Sequence, residues 1–310
     1  MSWSVVLATW HWRSDVVPVL VIVVGVYLRG WIALRGRGYG RAAPTRRLAA
    51  FVGGWAVVAV ALVGPFDVFQ SARFSVHMVE HELLMIAAAP LVLLGRPLAV
   101  AVWGLPRPLR IWIGRSLRPA APQRRLFDLM TRPAVAWGIS TGLLWAWHAP
   151  TAYNAVEVNG FVHNLQHLSL FAAGLLLWWP VIGTPPLGHL MSLAGRVGYL
   201  AAAMTQRALL GGIITLSDRV LYSYYQDLPG VGVASALQDQ RVAGAIMWFG
   251  SGIALLAGAL LVIWNVPLAT GESNGPAVRN RPRDWTRGGL VNEAGVYRVQ
   301  GADDPYKARV

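Results

Sequence analysis

The sequence predicts an all-α membrane protein, a polytopic bundle of seven transmembrane helices with its N-terminus outside the cell and its C-terminus inside. Of its 310 residues, 55% are hydrophobic and only 13% are charged, and the mean hydropathy is +0.47. A soluble domain of this length needs a larger charged surface. Apolar stretches of about 20 residues, long enough to cross a bilayer, recur along the chain. They predict seven spans: 16–34, 48–67, 76–95, 134–150, 161–182, 191–216 and 242–266.

Basic residues, which predict the orientation, concentrate in every second connection between these spans. Three segments carry five, eight and seven Lys or Arg residues in turn: 35–47, 96–132 and 271–310. The alternate segments contain three arginines between them: 67–75, 151–160 and 217–241. Because basic loops remain in the cytoplasm, this pattern places the N-terminus outside and the C-terminus inside. In this setting the net charge of +13 indicates contact with the anionic lipid of the bilayer and no binding of nucleic acid.

Several regions lie outside the spans. Residues 105–133 mix Arg, Pro and aromatic residues, which predicts an interfacial cytoplasmic loop with a short amphipathic helix. Residues 270–310 are polar and predict a flexible basic cytoplasmic tail, so that the transmembrane domain covers residues 1–269. The first 15 residues lack the features of a cleaved signal peptide, so we expect the first span to be retained.

Prolines interrupt two of the spans. Pro90 lies inside the third span, where the missing backbone donor predicts a kink or the end of the regular helix. Gly64 and Pro65 predict a break near the outer end of the second span, just before Asp67.

Two stretches of the chain share an unusual spacing of histidines. FSVHMVEHELLM at 74–85 and FVHNLQHLSLF at 161–171 each place two histidines four residues apart. On a helix such residues project from one face, about 6 Å apart. The predicted topology brings both pairs, and the histidine of WAWHAP, to the same outer depth of the membrane. These five are His77, His81, His148, His163 and His167, whereas His11 lies in the N-terminal segment and His189 in a cytoplasmic turn.

This convergence predicts a metal site that is open to the outer face. Imidazole is a neutral nitrogen ligand for copper or zinc, and ionisable groups at membrane depth indicate a functional site by default. The chain contains no cysteine, which excludes thiolate ligands and disulfides. Polar side chains are expected in the same layer: Asp67, Glu80, Glu82, Gln166, Asp239 and Gln240. Methionines add thioethers, which favour Cu(I): Met78, Met85 and Met247.

The sequence lacks the motifs of common enzymes. HEL in the first histidine stretch resembles the start of the zinc-protease motif H-E-x-x-H, but a methionine stands where the second histidine is required. We find no nucleotide-binding loop and no Ser or Lys arrangement typical of hydrolases, so we predict a protein that is not an enzyme. Arg207, inside the sixth span, needs a partner among Glu80, Glu82 and Asp239, or a helix end that brings it near water.

In these regions the sequence resembles the multi-span cytochrome c oxidase assembly factor CtaG family, which is associated with caa-type oxidases. The resemblance rests on four stretches in order over about 60–266: FSVHMVEHELLMIAAAPLVLLGRP, LLWAWHAPTAYNAV, FVHNLQHLSLFAAGLLLWWPV and DQRVAGAIMWFGSG. It implies a multi-pass protein of the bacterial plasma membrane that helps to mature the oxidase by binding copper and delivering it to oxidase subunits. Zinc is the other metal that the ligand types allow, and the oligomeric state is not predicted.

The resemblance also implies roles for individual positions. The five histidines of the spans correspond to the membrane histidines of the family, and Asp67, Asp239 and Met247 lie at matching positions. Family members tend to have Gln in place of Glu80 and Glu in place of Gln166. If Glu80 faces the second histidine pair, this exchange conserves charge within one site.

Other functions are compatible with the residues. Paired helix histidines also serve as axial haem ligands, so a haem- or quinone-binding membrane electron-transfer protein is the main alternative. A zinc-dependent membrane hydrolase would need a general-base motif, which is not recognisable here. A structural scaffold for oxidase assembly would not need the histidines at all.

Overall fold

The computed structural model describes residues 10, 12–183, 191–250, 252, 253, 256 and 258. The predicted tail at 270–310, His11, His189 and the end of the predicted span 242–266 lie outside the described residues. Within this part of the chain the regular structure is helical and contains no strand, which confirms the all-α prediction. In chain order the helices are α1 (Val17–Gly36), α2 (Thr45–Leu62), α3 (Pro65–Phe69), α4 (Phe74–Leu94), α5 (Pro97–Ala101), α6 (Arg107–Ser116), α7 (Pro122–Met130), α8 (Pro133–Trp147), α9 (Pro150–Val158), α10 (Gly160–Ile182), α11 (Leu193–Leu216), α12 (Ser223–Gln226) and α13 (Val233–Ala245).

Five segments of the described chain are long and apolar enough to cross a membrane: α1, α2 with α3, α4, α10 and α11. The predicted fourth span corresponds to α8, whose 15 residues cover about 22 Å, less than the hydrocarbon thickness of about 30 Å. The predicted seventh span begins in α13 and continues into a π-helical turn at Ile246–Gly250. The structure therefore shows a bundle of membrane-type helices, and the count of seven stays a prediction.

The helix breaks lie where the sequence predicts them. α2 ends at Leu62, and Pro65 begins the short helix α3 after an extended Gly64. In α4 the helix widens into a π-helical turn at Leu83–Ala88, just before Pro90. A proline ring crowds the preceding turn and cannot donate a backbone hydrogen bond, which favours this widening. The predicted amphipathic helix of the interfacial loop is present as two helices, α6 and α7.

The three helix ends that carry His77, His81, His148, His163 and His167 lie at one end of the bundle. α4 and α10 begin at this end, and α8 ends there. The ring contacts between the helices show this: the ring centroids of His77 and His163 are 5.3 Å apart, and those of His81 and His148 are 5.9 Å apart. The predicted convergence of the three helices is therefore present in the fold.

The basic connections lie at the opposite end of the bundle. Arg13, just before α1, pairs with Asp67 in α3 at 2.8 Å, so α1 also starts at the histidine end and runs away from it. The basic segment 35–47 follows the far end of α1, and 96–132 connects the far ends of α4 and α8. The bundle thus has a histidine end and an arginine end, as the charge pattern indicates.

Close packing fixes α10 against the π-helical turn of α4. A Cβ atom added at Gly174 of α10 would lie 2.9 Å from Met85 Cα, a distance that only glycine permits without a backbone shift. Trp178, one turn later, donates a hydrogen bond from Nε1 to the Met85 carbonyl at 3.1 Å. Small residues at such crossings allow helix backbones to approach within membranes. This contact holds the two histidine pairs in register.

Candidate metal centre

The five histidines form one continuous cluster of rings. The two rings of α4, His77 and His81, are 4.4 Å apart, and the two rings of α10, His163 and His167, are 4.3 Å apart. Across the helix interface, the His167 ring lies 5.4 Å from both His77 and His81. His148, at the C-terminal cap of α8, joins the cluster 5.9 Å from His81. The i,i+4 spacing of each pair therefore puts both of its rings into the same interface.

Three of these histidines direct nitrogens at a common point. Nitrogen atoms of His77, His81 and His167 all lie within 4.8 Å of one another, and all three side chains are buried. Nitrogens bound to one metal at about 2.1 Å are at most about 4.2 Å apart. The separations of the three nitrogens are thus close to those that one shared ion requires.

Two residues that the sequence does not point to fix the ring of His77 through its Nδ1 atom: Glu157 and Tyr225. Glu157 in α9 places Oε1 2.7 Å from His77 Nδ1, and both side chains are buried. Tyr225 donates its hydroxyl to the same carboxylate oxygen at 2.9 Å. A neutral imidazole that donates from Nδ1 keeps a lone pair on Nε2, so Glu157 turns the Nε2 lone pair of His77 toward the cluster. A carboxylate in this position is the common partner of a metal-binding histidine.

Gln166 lies against the histidine pair of α4. Its Oε1 is 3.2 Å from His77 Nε2 and 3.3 Å from His81 Nε2. The amide oxygen and the ring nitrogens thus crowd the same small volume, and Gln166 Nε2 has no hydrogen-bond partner in the described part of the chain. Gln166 therefore lies at the cluster, and its support of a metal stays a prediction.

Glu80 faces the second histidine pair, which is the condition under which the exchange of Glu and Gln conserves charge within one site. Its Oε1 lies 3.7 Å from His167 Nδ1, and the side chain is fully buried. Neither carboxylate oxygen has a hydrogen-bond partner among the described residues, and the same holds for the Nδ1 atoms of His81 and His167. Buried polar atoms in native proteins are nearly always paired, because each unpaired atom costs free energy. A cation bound among these atoms would compensate for this cost.

His148 is fixed by its own helix and by a methionine. Its Nδ1 is 2.7 Å from the carbonyl oxygen of Leu144, and its Nε2 is 3.4 Å from the sulfur of Met78. Tyr222 donates a hydrogen bond to the His148 carbonyl at 3.0 Å. The fifth histidine is therefore held in one orientation, with Nε2 facing the cluster side of α4.

The two predicted aspartates contact groups at the edge of the cluster. Asp67 pairs with Arg13, which also donates a 2.6 Å hydrogen bond to Asn164, the neighbour of His163. Asp239 of α13 accepts a hydrogen bond from the backbone N–H of Ser75 at 3.2 Å, in the first turn of α4. A carboxylate is favourable at this helix N-terminus. The contacts of both aspartates shown here fix the ends of helices, and their support of a metal stays a prediction.

The remaining predicted supporting residues are methionines in the apolar core. The sulfur of Met85 lies 3.7 Å from Arg207 Nη1, and Met247 is buried. Arg207 itself pairs with Glu82, one of its three predicted partners, and is buried inside α11. This ion pair compensates for the cost of burying the arginine.

The cluster is closed, whereas the sequence predicts a site open to the outer face. His77, His81, His148 and His167 are all buried, and His163 alone of the five is half-buried. The cover comes from α9, whose Tyr153 is fully buried against the cluster, and from the connection that carries Tyr225. This short helix lies in the segment 151–160 between two predicted spans, where neither residue spacing nor charge indicates a cover.

The donor set fits copper or zinc. Neutral imidazoles suit both metals, and a nearby carboxylate and amide supply oxygen donors or a neutralising charge. Outside the membrane-spanning segments, the hydrogen bond from Arg13 lowers the pKa of Asp15, so that a negative charge lies at the histidine end of the bundle. Arg13 lies at this end as well, paired with Asp15 and Asp67.

Comparisons with known proteins give the chain a family context. A family model described as "cytochrome c oxidase caa3 assembly factor" matches residues 25–267. Uncharacterized proteins of Mycobacterium bovis and Mycobacterium tuberculosis are each 27% identical over 251 residues, which cover 78% of this chain and 37% of theirs. An uncharacterized protein of Mycobacterium leprae is 24% identical over 250 residues, 76% of this chain and 36% of its own. The chain thus spans little more than a third of the length of these relatives. No solved structure shows significant similarity to it.

Proposed function

The chain belongs to the cytochrome c oxidase caa3 assembly factor family, and from this premise we propose that it binds copper in the five-histidine cluster and delivers it to subunits of the oxidase. Its role is that of a carrier rather than an enzyme, and copper is its cargo. Zinc is the competing metal, because the same imidazoles bind it.

One observation carries the proposal. Nitrogens of His77, His81 and His167 lie within 4.8 Å of one another in a buried volume where Glu80 presents two carboxylate oxygens without hydrogen-bond partners in the described chain. A set of histidines that merely packed within the membrane would be expected to satisfy its polar atoms internally. The combination of convergent lone pairs and an unpaired carboxylate instead supports a cation site.

The arrangement offers a route between the cluster and its surroundings. His163 is half-buried at the edge, and its Nε2 lies 3.3 Å from Nε2 of His167. A cation bound first by His163 can therefore pass to His167 by exchange of one ligand, and from there to the three-histidine point. Because each step replaces one imidazole by another, the ion is never without a ligand.

We further propose that the histidine end faces the outside of the bacterial plasma membrane, in a seven-span topology. The arginine end would then face the cytoplasm. The chain contains no cysteine, so a single introduced cysteine reports its side directly. Asn159→Cys, at the histidine end, should react with a membrane-impermeant maleimide in intact cells, and Ala120→Cys, between α6 and α7, should react only after lysis. The reverse pattern would overturn the orientation.

Oxidase maturation in cells tests the delivery of copper. A strain that lacks the gene is complemented with the wild-type chain, with His77→Ala plus His167→Ala, or with Tyr199→Phe as a control. Tyr199 is a buried residue of α11 whose hydroxyl has no hydrogen-bond partner in the described chain. We expect the double variant, at equal abundance in the membrane, to leave the oxidase deficient in copper. Normal copper content and activity of the oxidase with that variant would refute the proposal and favour a purely structural scaffold.

A further inference from the structure

His148 and Met78 meet in a way that ordinary hydrogen bonding does not explain. His148 Nδ1 lies 2.7 Å from the carbonyl oxygen of Leu144, and that oxygen can only accept, so Nδ1 carries the proton. In the neutral ring Nε2 then has a lone pair, and it points at the Met78 sulfur 3.4 Å away. A thioether has no proton to donate. Two electron-pair donors therefore face each other in a buried site.

We infer that His148 and Met78 form a second, softer subsite of the cluster, which binds Cu(I) through one imidazole nitrogen and one thioether sulfur. The inference rests on the proposed function, because it takes copper to be the cargo. Thioethers prefer Cu(I) over zinc, whereas the point shared by His77, His81 and His167 offers nitrogen donors that suit both metals. The cluster would thus contain a nitrogen-only point and an adjacent point selective for reduced copper.

The separation of the two donor atoms suits such a subsite. With metal–nitrogen and metal–sulfur distances of about 2.0 and about 2.3 Å, a separation of 3.4 Å between the two donors corresponds to an angle of roughly 104° at the metal. This angle is close to tetrahedral. Met78 is 1% exposed and His148 is 4% exposed, so neither donor is available for water to satisfy.

His81 connects the two points. Its ring lies 5.4 Å from that of His167 and 5.9 Å from that of His148, between the nitrogen-only point and the His148–Met78 pair. Its Nδ1 is buried and has no hydrogen-bond partner in the described chain. His81 is therefore placed to bind an ion at either point and to pass it from one to the other.

Met85 provides a matched control for Met78. Both methionines lie on α4 and both are 1% exposed, but the sulfur of Met85 contacts Arg207 rather than a histidine. Met78→Leu and Met85→Leu conserve volume, so each is expected to fold. A difference in metal binding between the two variants then reports the sulfur at position 78.

The test measures Cu(I) and Zn(II) affinity of the purified full chain in detergent, by competition with chromophoric chelators under reducing conditions. We expect Met78→Leu to weaken Cu(I) binding by about tenfold or more and to leave Zn(II) binding within about twofold. Met85→Leu should change neither affinity. Equal loss of both metals in Met78→Leu, or no loss of Cu(I), would overturn the inference.

X-ray absorption of the copper-loaded protein gives a second readout, which identifies the atoms bound to copper directly. In wild-type chain labelled with selenomethionine, Cu(I) should show one selenium neighbour, which Met85→Leu retains and Met78→Leu loses. Copper bound with nitrogen neighbours alone would overturn the inference and leave the proposed function intact. A wild-type chain that binds no copper would overturn both.

Discussion

The contact between Glu157 and His77 gives the sharpest prediction about the cluster, because a single oxygen atom of Glu157 contacts the His77 ring. Oε1 of Glu157 lies 2.7 Å from His77 Nδ1 and also accepts the hydroxyl of Tyr225 at 2.9 Å. Glu157→Gln keeps an oxygen acceptor of the same reach and removes the negative charge. Glu157→Ala removes both the acceptor and the charge. The two variants therefore separate the electrostatic effect of the carboxylate from its effect on ring orientation.

The expected magnitudes follow from this geometry. Loss of a partner behind a metal-binding histidine typically lowers metal affinity by about 10- to 100-fold. We expect Glu157→Gln to lower affinity by about tenfold, which corresponds to about 1.4 kcal/mol, and Glu157→Ala by about 100-fold. Tyr225→Phe leaves the oxygen of Glu157 in place beside His77, so we expect a change of less than about threefold.

The assay is chelator competition with Zn(II) and with Cu(I) on the purified chain in detergent. Circular dichroism of each variant confirms that the helices are intact before affinities are compared. The order wild type, Tyr225→Phe, Glu157→Gln, Glu157→Ala should hold for both metals. Wild-type metal affinity in Glu157→Ala would refute the role of this carboxylate in orienting the His77 ring.

Three further predictions concern stability. Glu82→Ala removes the carboxylate that pairs with the buried Arg207 and should destabilise the bundle by about 3 kcal/mol in thermal unfolding. The double variant Glu82→Leu with Arg207→Met should recover most of this loss. Equal stability of the wild type, the single variant and the double variant would contradict the buried pair. Gly174→Ala should cost about 1–3 kcal/mol, because its Cβ would meet backbone at 2.9 Å, and Gly142→Ala, which meets nothing within 4 Å, should be nearly neutral. Copper at 100 times its dissociation constant should stabilise the fold by about 2.7 kcal/mol and raise the melting temperature. Addition of a strong chelator should reverse this rise. A melting temperature that does not change with copper would count against a site in the folded state.

Much of the cluster follows from local spacing and charge. The i,i+4 pairs predict which histidines share a helix face, and the arginine distribution predicts that His148 reaches the same end as both pairs. Both inferences depend on helix geometry and on topology, which are encoded locally along the chain. The facing of Glu80 toward His167 does not follow in this way, because it depends on how α4 packs against α10.

The parts that sequence reasoning missed depend on contacts between distant segments. Glu157 carries no motif, and its approach to His77 requires α9 to fold back over the end of α4. The pairing of His148 with Met78 depends on how α8 packs against α4, which spacing along either helix does not determine. The closed form of the site has the same origin, because the cover comes from connections rather than from spans.

The metal content of the purified chain tests the central claim most directly. Protein purified in detergent after growth with added copper is measured by elemental analysis, for the wild type and for His77→Ala plus His167→Ala, with Tyr199→Phe as the control. We predict copper bound to the wild type and to the control, and its loss in the double variant. A wild type without bound copper, or a double variant that keeps all of it, would contradict the metal centre, and a Soret band in its absorption spectrum would point to haem instead.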